Sequence, residues 1–231
     1  MKNRGDNCPL PSDRLYDLDN DLWYKPLERK RHYVIGVCKP FLHFAGRPRK
    51  IIIKQEGIYV KRNTAIAVYI SSRMEGALMP AVDCQVMKVN EDVAADPQVV
   101  ADDPYEDGWL AEVSCSLEPI LTEADKAEDL YEEINNRRGV VCFAHVPHYE
   151  MRVYGESCES ILTQMNDFMK QHVKVGETLH IATGDPATEV DLISWAERTG
   201  HELLGLTRRG SSLHALYRKS TDYAFHHSKR T

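Results

Sequence analysis

Six cysteines, at positions 8, 38, 84, 115, 142 and 158, offer the most chemistry in this chain. They are scattered and form no Cys-x-x-Cys pair, so a dense disulfide framework is not indicated and reduced thiols are the expectation. Cys142, His145, His148 and Cys158 come nearest to a run of metal ligands. Their spacing fits no common zinc pattern, and neither a metal nor a cofactor is expected. Cys158 stands out because of the residues after it. Ile161, Leu162, Met165, Phe168 and Met169 recur on one helical face, which predicts a helix over 158–172 with Cys158 in its first turn. A thiol there meets unpaired N–H groups and the positive end of the helix dipole, which favour the thiolate. Glu156 and Glu159 oppose that effect, and Ser157 competes for the same N–H groups as an N-cap. The thiol is expected to point off the first turn toward solvent. Cys158 is the candidate reactive thiol; the alternative is a buried small side chain with no chemistry. There is no Gly-rich phosphate loop, no Gly-x-Ser-x-Gly and no His-Glu-x-x-His. His201 reads as a packing or capping histidine, and Asp185-Pro186 as turn chemistry.

The elements that must position these groups fall into two halves. Residues 33–115 are rich in strand formers, among them Ile51 to Ile53, AIAVYISS (65–72) and VDCQVMKV (82–89). The last two read as a hairpin with Gly76 as turn residue and Arg73 near its tip. Thr122-x-x-Asp125 reads as a capping box opening a helix to about Asn136, which Gly139 stops. From Tyr149 strands and helices alternate: a strand, the helix at Cys158, TLHIAT (178–183), a helix from Thr188 to Gly200, and the strands HELLGL and SLHALYRK. That order, βαβαββ, predicts two helices on one face of a four-stranded sheet. The tail from Ser220 has few apolar residues and is expected to fray.

Charge is segregated along the 231 residues. Lys25 to Arg62 holds 11 Lys and Arg against 2 acidic residues, and Glu91 to Glu133 holds 15 acidic residues against one Lys. Separate basic and acidic patches are expected from this. The net charge of −6 argues against nucleic acid, whose affinity comes mainly from neutralised phosphates. No apolar run approaches the roughly 18 residues of a membrane span, and no apolar leader is visible at the N-terminus. A cytoplasmic protein is the expectation.

Two resemblances attach to particular residues. In VNEDVAADPQVVADDPYEDGWLAEV (89–113), Asn90, Pro97, Asp103, Pro104, Tyr105, Gly108, Trp109 and Leu110 fall into the pattern of the glycine cleavage system H proteins. GVCKPFLHFAG (36–46) keeps Gly36 and Gly46 of the same family, and LYEEI (130–134) resembles its closing helix. The resemblance implies a lipoyl-type β-sandwich, a barrel-sandwich hybrid, over 9–136. That family presents Glu-Ser-Val-Lys-Ala at a hairpin tip and carries lipoate on the lysine. Here Arg73 occupies the lysine position, with Ile70 and Ser71 before it, and no lysine lies between Lys61 and Lys88. A guanidinium stays protonated and cannot form the amide. Arg73 is then an anion or partner contact at an exposed tip, or a solvated turn residue.

VKVGETLHIATGDPATEVDLISWAERTGHELL (173–204) resembles the TusA-type sulfur carriers through Gly176, Glu177, Asp185, Pro186, Asp191, Trp195, Gly200 and His201. This implies a two-layer α/β sandwich over 148–219. That family bears a persulfide on a cysteine followed by prolines. Gly155 and Cys158 match, while Glu159 and Ile161 stand where the prolines would be. The lost Cys-Pro-x-Pro recurs as Cys8-Pro9-Leu10-Pro11, where no strand precedes it. Cys8 is expected to be an exposed thiol on a mobile terminus.

Together these imply an α+β protein of two carrier-like domains. Its implied role is a non-enzymatic carrier or adaptor in cytoplasmic sulfur trafficking, with sulfur-transfer or lipoyl-handling proteins as partners. The alternatives are an interaction module with both carrier sites lost, and a thiol-dependent sulfurtransferase using Cys158, for which no base is evident.

Overall fold

A computed structural model describes residues 8–184 and 188–220. The Asp185-Pro186 turn and the tail beyond Ser220 lie outside them. The chain divides into two units, one over Cys8–Val146 and one from Pro147 onward.

In the first unit the elements run β1 (Leu15–Asp17), β2 (Leu22–Pro26), β3 (His32–Val37), α1 (Lys39–Ala45), β4 (Pro48–Ile53), β5 (Tyr59–Val60), β6 (Ala67–Ser71), β7 (Glu75–Leu78), β8 (Cys84–Val89), α2 (Glu91–Ala95), α3 (Val99–Asp102), β9 (Trp109–Cys115), β10 (Thr122–Glu123) and α4 (Ala124–Arg138). A seven-stranded sheet in the order β10-β1-β2-β3-β9-β8-β5 faces a three-stranded sheet β4-β6-β7. Period-two alternation explains the packing. Tyr33, Ile35 and Val37 of β3 enter the main core with Val86, Val113, Ile51 and Tyr69. Val34 points the other way, to a second cluster of Tyr16, Trp23, Ala127 and Tyr131 beneath α4. The two sheets sharing this core are the β-sandwich expected for the first half.

Two local expectations fail. The partner of β6 is β7, with Tyr69 opposite Gly76, whereas 84–89 pairs with β9 and β5 in the other sheet. Glu-Gly-Ala-Leu has weak strand propensity; its pairing is imposed by the tip turn and by Leu78 entering the core. Nor does Thr122 form a capping box. It is held in β10 opposite Tyr16, so α4 starts after Glu123 without a side-chain cap. Gly139 does stop α4, in the left-handed conformation, returning its N–H to Asn135 and Asn136.

The residues that carried the first resemblance build turns. Asn90 caps α2 through its side-chain oxygen and donates to the carbonyls of Asp107 and Trp109. The Pro104 carbonyl accepts from the Trp23 indole, and Gly36 leaves room for that ring, since a Cβ there would come within 2.3 Å of it.

The second unit runs β11 (Tyr149–Val153), α5 (Cys158–Gln171), β12 (Thr178–Thr183), α6 (Thr188–Thr199), β13 (Glu202–Arg209) and β14 (Ser212–Arg218). Its sheet has the order β11-β12-β14-β13, parallel only between β11 and β12. Ile161, Met165 and Met169 of α5 are buried with Leu192 and Trp195 of α6, and Leu162 and Phe168 pack at the edge of the same core. The Met stripe is therefore core.

Candidate functional site

Cys158 is the first residue of α5. Ser157 is its N-cap, with the hydroxyl accepting from the Ser160 N–H at 3.3 Å. The thiol is half-buried rather than turned to open solvent, and its Sγ lies 3.2 Å from Oγ1 of the buried Thr188, at the start of α6. Thr188 is a site residue that the sequence did not point to: its pattern marks only the start of a helix. Of the two carboxylates expected to oppose the thiolate, Glu156 is engaged by the Ser160 hydroxyl at 2.9 Å. A cleft of about 230 Å³ between α5 and α6 is lined by Glu159, Leu162, Asn166, Trp195 and Arg198, and Cys158 is not in its lining.

In the same unit Glu150, His180 and His214 form a chain across three adjacent strands. His180 Nδ1 lies 3.3 Å from Glu150 Oε1, and His180 Nε2 lies 3.0 Å from His214 Nδ1. Burial first, and then the neighbouring His180, push the His214 pKa from 6.5 down to about 4; Arg152 and Arg209 add to this, and Glu150 opposes it. His214 is therefore neutral in the folded chain at a pH where the unfolded chain holds a proton. Stability is full above about pH 6.5 and falls as pH drops toward 4. At about 1.4 kcal/mol per pH unit, the loss is about 2–3 kcal/mol. Urea unfolding between neutral pH and pH 4.5 should show it, and His214→Phe should flatten the slope. An equal slope in that variant would assign the effect elsewhere.

Arg73 is exposed at the tip joining β6 to β7, as expected of a turn residue there, but its side chain also makes contacts within the unit. Its Nη1 donates to the carbonyls of His43 at 3.0 Å and Phe44 at 3.4 Å, at the C-terminal end of α1. Its aliphatic part lies against Gly46, where a Cβ would come within 3.1 Å of Cδ. The positive group thus ties the tip to carbonyls in the last turn of a seven-residue helix, the negative end of its dipole. Ser71 shapes the turn: its hydroxyl accepts from the N–H groups of Arg73 and Met74 at 2.9 and 3.1 Å and donates to the Ala45 carbonyl at 2.7 Å. Arg73→Met should lower stability by about 1 kcal/mol, an ordinary value for such hydrogen bonds, as read by denaturant midpoint. No change would mean that the guanidinium contacts are incidental.

The cysteine expectations need the largest correction. Cys8 is not a loose thiol: it is bridged to Cys142, 134 residues away, with the Cα atoms 5.6 Å apart. The N-terminal segment is held down further, since the Leu10 N–H donates to Glu128 at 2.8 Å and the Leu10 side chain is buried. Cys38, Cys84 and Cys115 are buried free thiols, all pushed to high pKa by desolvation. The run Cys142, His145, His148 and Cys158 is divided between the two units. Instead, among the described residues, Cys142 groups with Cys8 and His43, their ligand atoms all within 4.8 Å of one another. The charge segments also meet: Arg47 of the basic stretch pairs with Asp102 of the acidic one at 2.5 Å.

Comparison with known proteins places the first unit. The sequence model of the family described as Glycine cleavage H-protein matches residues 14–137. Glycine cleavage system H protein 5 of Aquifex aeolicus is 32% identical over 143 residues, which span 58% of this chain and 95% of that protein. Probable glycine cleavage system H protein 2 of Sulfolobus acidocaldarius is 30% identical over 138 residues, 57% of this chain and 92% of that protein. The crystal structure of a glycine cleavage system H protein from Mycobacterium marinum aligns with a TM-score of 0.48 at 23% identity, over 55% of this chain and 98% of that chain. No helix among the described residues is long and apolar enough to cross a membrane.

Proposed function

The chain belongs to the glycine cleavage H-protein family through residues 14–137, and on that premise we propose that it is a non-enzymatic carrier or adaptor that has exchanged the lipoyl arm for sulfur carried on Cys158. In this reading the H-like unit docks on proteins that handle lipoyl groups, and the second unit, taken as a TusA-type carrier, exchanges sulfur with transfer proteins in the cytoplasm. The observation that supports it is the setting of Cys158: a half-buried thiol in the first turn of α5, 3.2 Å from the Thr188 hydroxyl. Loading takes the outer sulfur of a donor R–S–SH onto the Cys158 thiolate: the new S–S bond forms as the R–S bond to that sulfur breaks, and the proton stays with the leaving thiol, giving Cys–S–S⁻ and R–SH. A hydroxyl donating to that thiolate stabilises it before attack and the persulfide anion after it.

The test is the intact mass of the full chain after incubation with a small-molecule persulfide. One added sulfur, mapped to Cys158 and lost in Cys158→Ser, is the expected result. Thr188→Val should slow loading about tenfold, the effect of losing one hydrogen bond to a charged group. A chain whose Cys158 alkylates readily but takes up no sulfur sinks the carrier reading and leaves the interaction module. The sulfurtransferase reading needs a base beside Cys158, and Thr188 is not one.

A further inference from the structure

The H-like unit holds a second sulfur centre that the carrier reading does not use. Cys8 and Cys142 form a disulfide, and a ring nitrogen of His43 lies within 4.8 Å of both sulfurs, while His43 Nε2 is held by the Phe143 backbone, 3.1 Å from its carbonyl oxygen and 3.4 Å from its N–H. The two sulfurs are not equivalent. Cys142 and His43 are buried, at 5% and 6% exposure, while Cys8 is only half-buried. An incoming thiolate therefore meets the Cys8 sulfur first, and Cys142 is the leaving group. A third residue completes the arrangement. Asn135, 6% exposed, donates its Nδ2 to Cys142 Sγ at 3.9 Å, while its Oδ1 has no donor among the described residues. A buried carbonyl without a donor is costly. Cys142 is the neighbour that can supply one, because its sulfur carries no hydrogen in the disulfide and one in the thiol. Rotating the Asn135 amide would let Oδ1 accept it. The oxidised form thus carries a cost that reduction relieves.

We propose that Cys8–Cys142 is a redox-active disulfide that exchanges with dithiols, with His43 as its proton donor and acceptor and Asn135 as a positioning residue that favours the reduced form. One thiolate of the dithiol attacks Cys8 Sγ. The S–S bond breaks, and its electron pair leaves on Cys142 Sγ, which takes a proton from the His43 ring. The second thiol then gives up its proton and attacks the mixed disulfide, releasing the Cys8 thiolate, which is protonated in turn. In sum, the protein gains two electrons and two protons, and the dithiol becomes a disulfide.

The test uses the full chain carrying Cys158→Ser, so that failure here and failure of the sulfur-carrier reading stay separate. Mixtures of dithiothreitol and its cyclic disulfide set the poise, and alkylation with peptide mapping reads Cys8 and Cys142. The expected result is reversible, two-electron opening of this pair in the folded protein, with circular dichroism unchanged. Asn135→Leu, which removes the orphaned acceptor, should make the pair about tenfold harder to reduce, a shift of about 30 mV. His43→Asn should slow reduction at least tenfold near neutral pH and flatten its pH–rate profile. A pair that opens only in denaturant overturns the proposal and makes the bridge a static staple. Should Asn135→Leu fail to fold, an unchanged rate and pH profile in His43→Asn would overturn it equally.

Discussion

Co-expressed with a lipoate ligase, the wild-type chain is expected to gain no lipoyl mass on residues 62–88, and the Arg73→Lys chain is expected to gain one. The first half follows from chemistry: amide formation needs a neutral primary amine, and a guanidinium does not supply it. No other lysine lies between Lys61 and Lys88. The second half rests on the tip geometry. Ser71 closes the turn through the N–H groups of residues 73 and 74, and its own N–H reaches the Met74 carbonyl at 2.9 Å. None of these bonds uses the Arg73 side chain, so a lysine there inherits a formed tip. It also loses the planar fork that grips the α1 carbonyls and is freer to enter a ligase. A lipoyl increment on the wild-type peptide would refute the first half. An unmodified Arg73→Lys chain with an intact fold would show that the ligase reads more than the tip, with Ile70 the first residue to change.

Gly108→Ala is expected to cost about 3 kcal/mol, the upper part of the ordinary range for overpacking a tight site. A Cβ at this position would lie 2.5 Å from the Asp103 carbonyl oxygen, 2.8 Å from Val100 Cα and 3.0 Å from the Val99 carbonyl oxygen. All three are backbone atoms, so no side chain can swing aside. The Gly108 N–H also donates to the same Asp103 carbonyl at 2.8 Å, so the clash opens the turn that delivers Trp109 to β9. Gly57→Ala is the control: nothing lies within 4 Å of a Cβ there, and only the strain of its φ of +81° remains, about 1 kcal/mol. The difference in urea midpoint between the two variants measures the close approach. Equal costs would mean that the turn has room.

The resemblance carried in the sequence implied the sandwich of the first unit, though not the pairing of β6 with β7. The 3.6-residue period placed Ile161, Met165 and Met169 on one helical face, because such a pattern reports burial directly. The position of Cys158 in the first turn of α5 and the stop at Gly139 were legible for the same local reason. The substitution at residue 73 was legible as a chemical fact, since an arginine cannot do what a lysine amine does.

What each of these groups touches was decided only by the tertiary structure. The Cys8–Cys142 bridge joins residues 134 apart; six scattered cysteines allow many pairings, and the fold alone brings two of them together. Thr188 meets Cys158 because α5 and α6 share a core, and a threonine at the start of a helix gives no hint of a thiol across from it. Arg73 reaches the end of α1 because β6 pairs with the weak strand formers of β7. Local propensity cannot rank partners that only long-range packing selects.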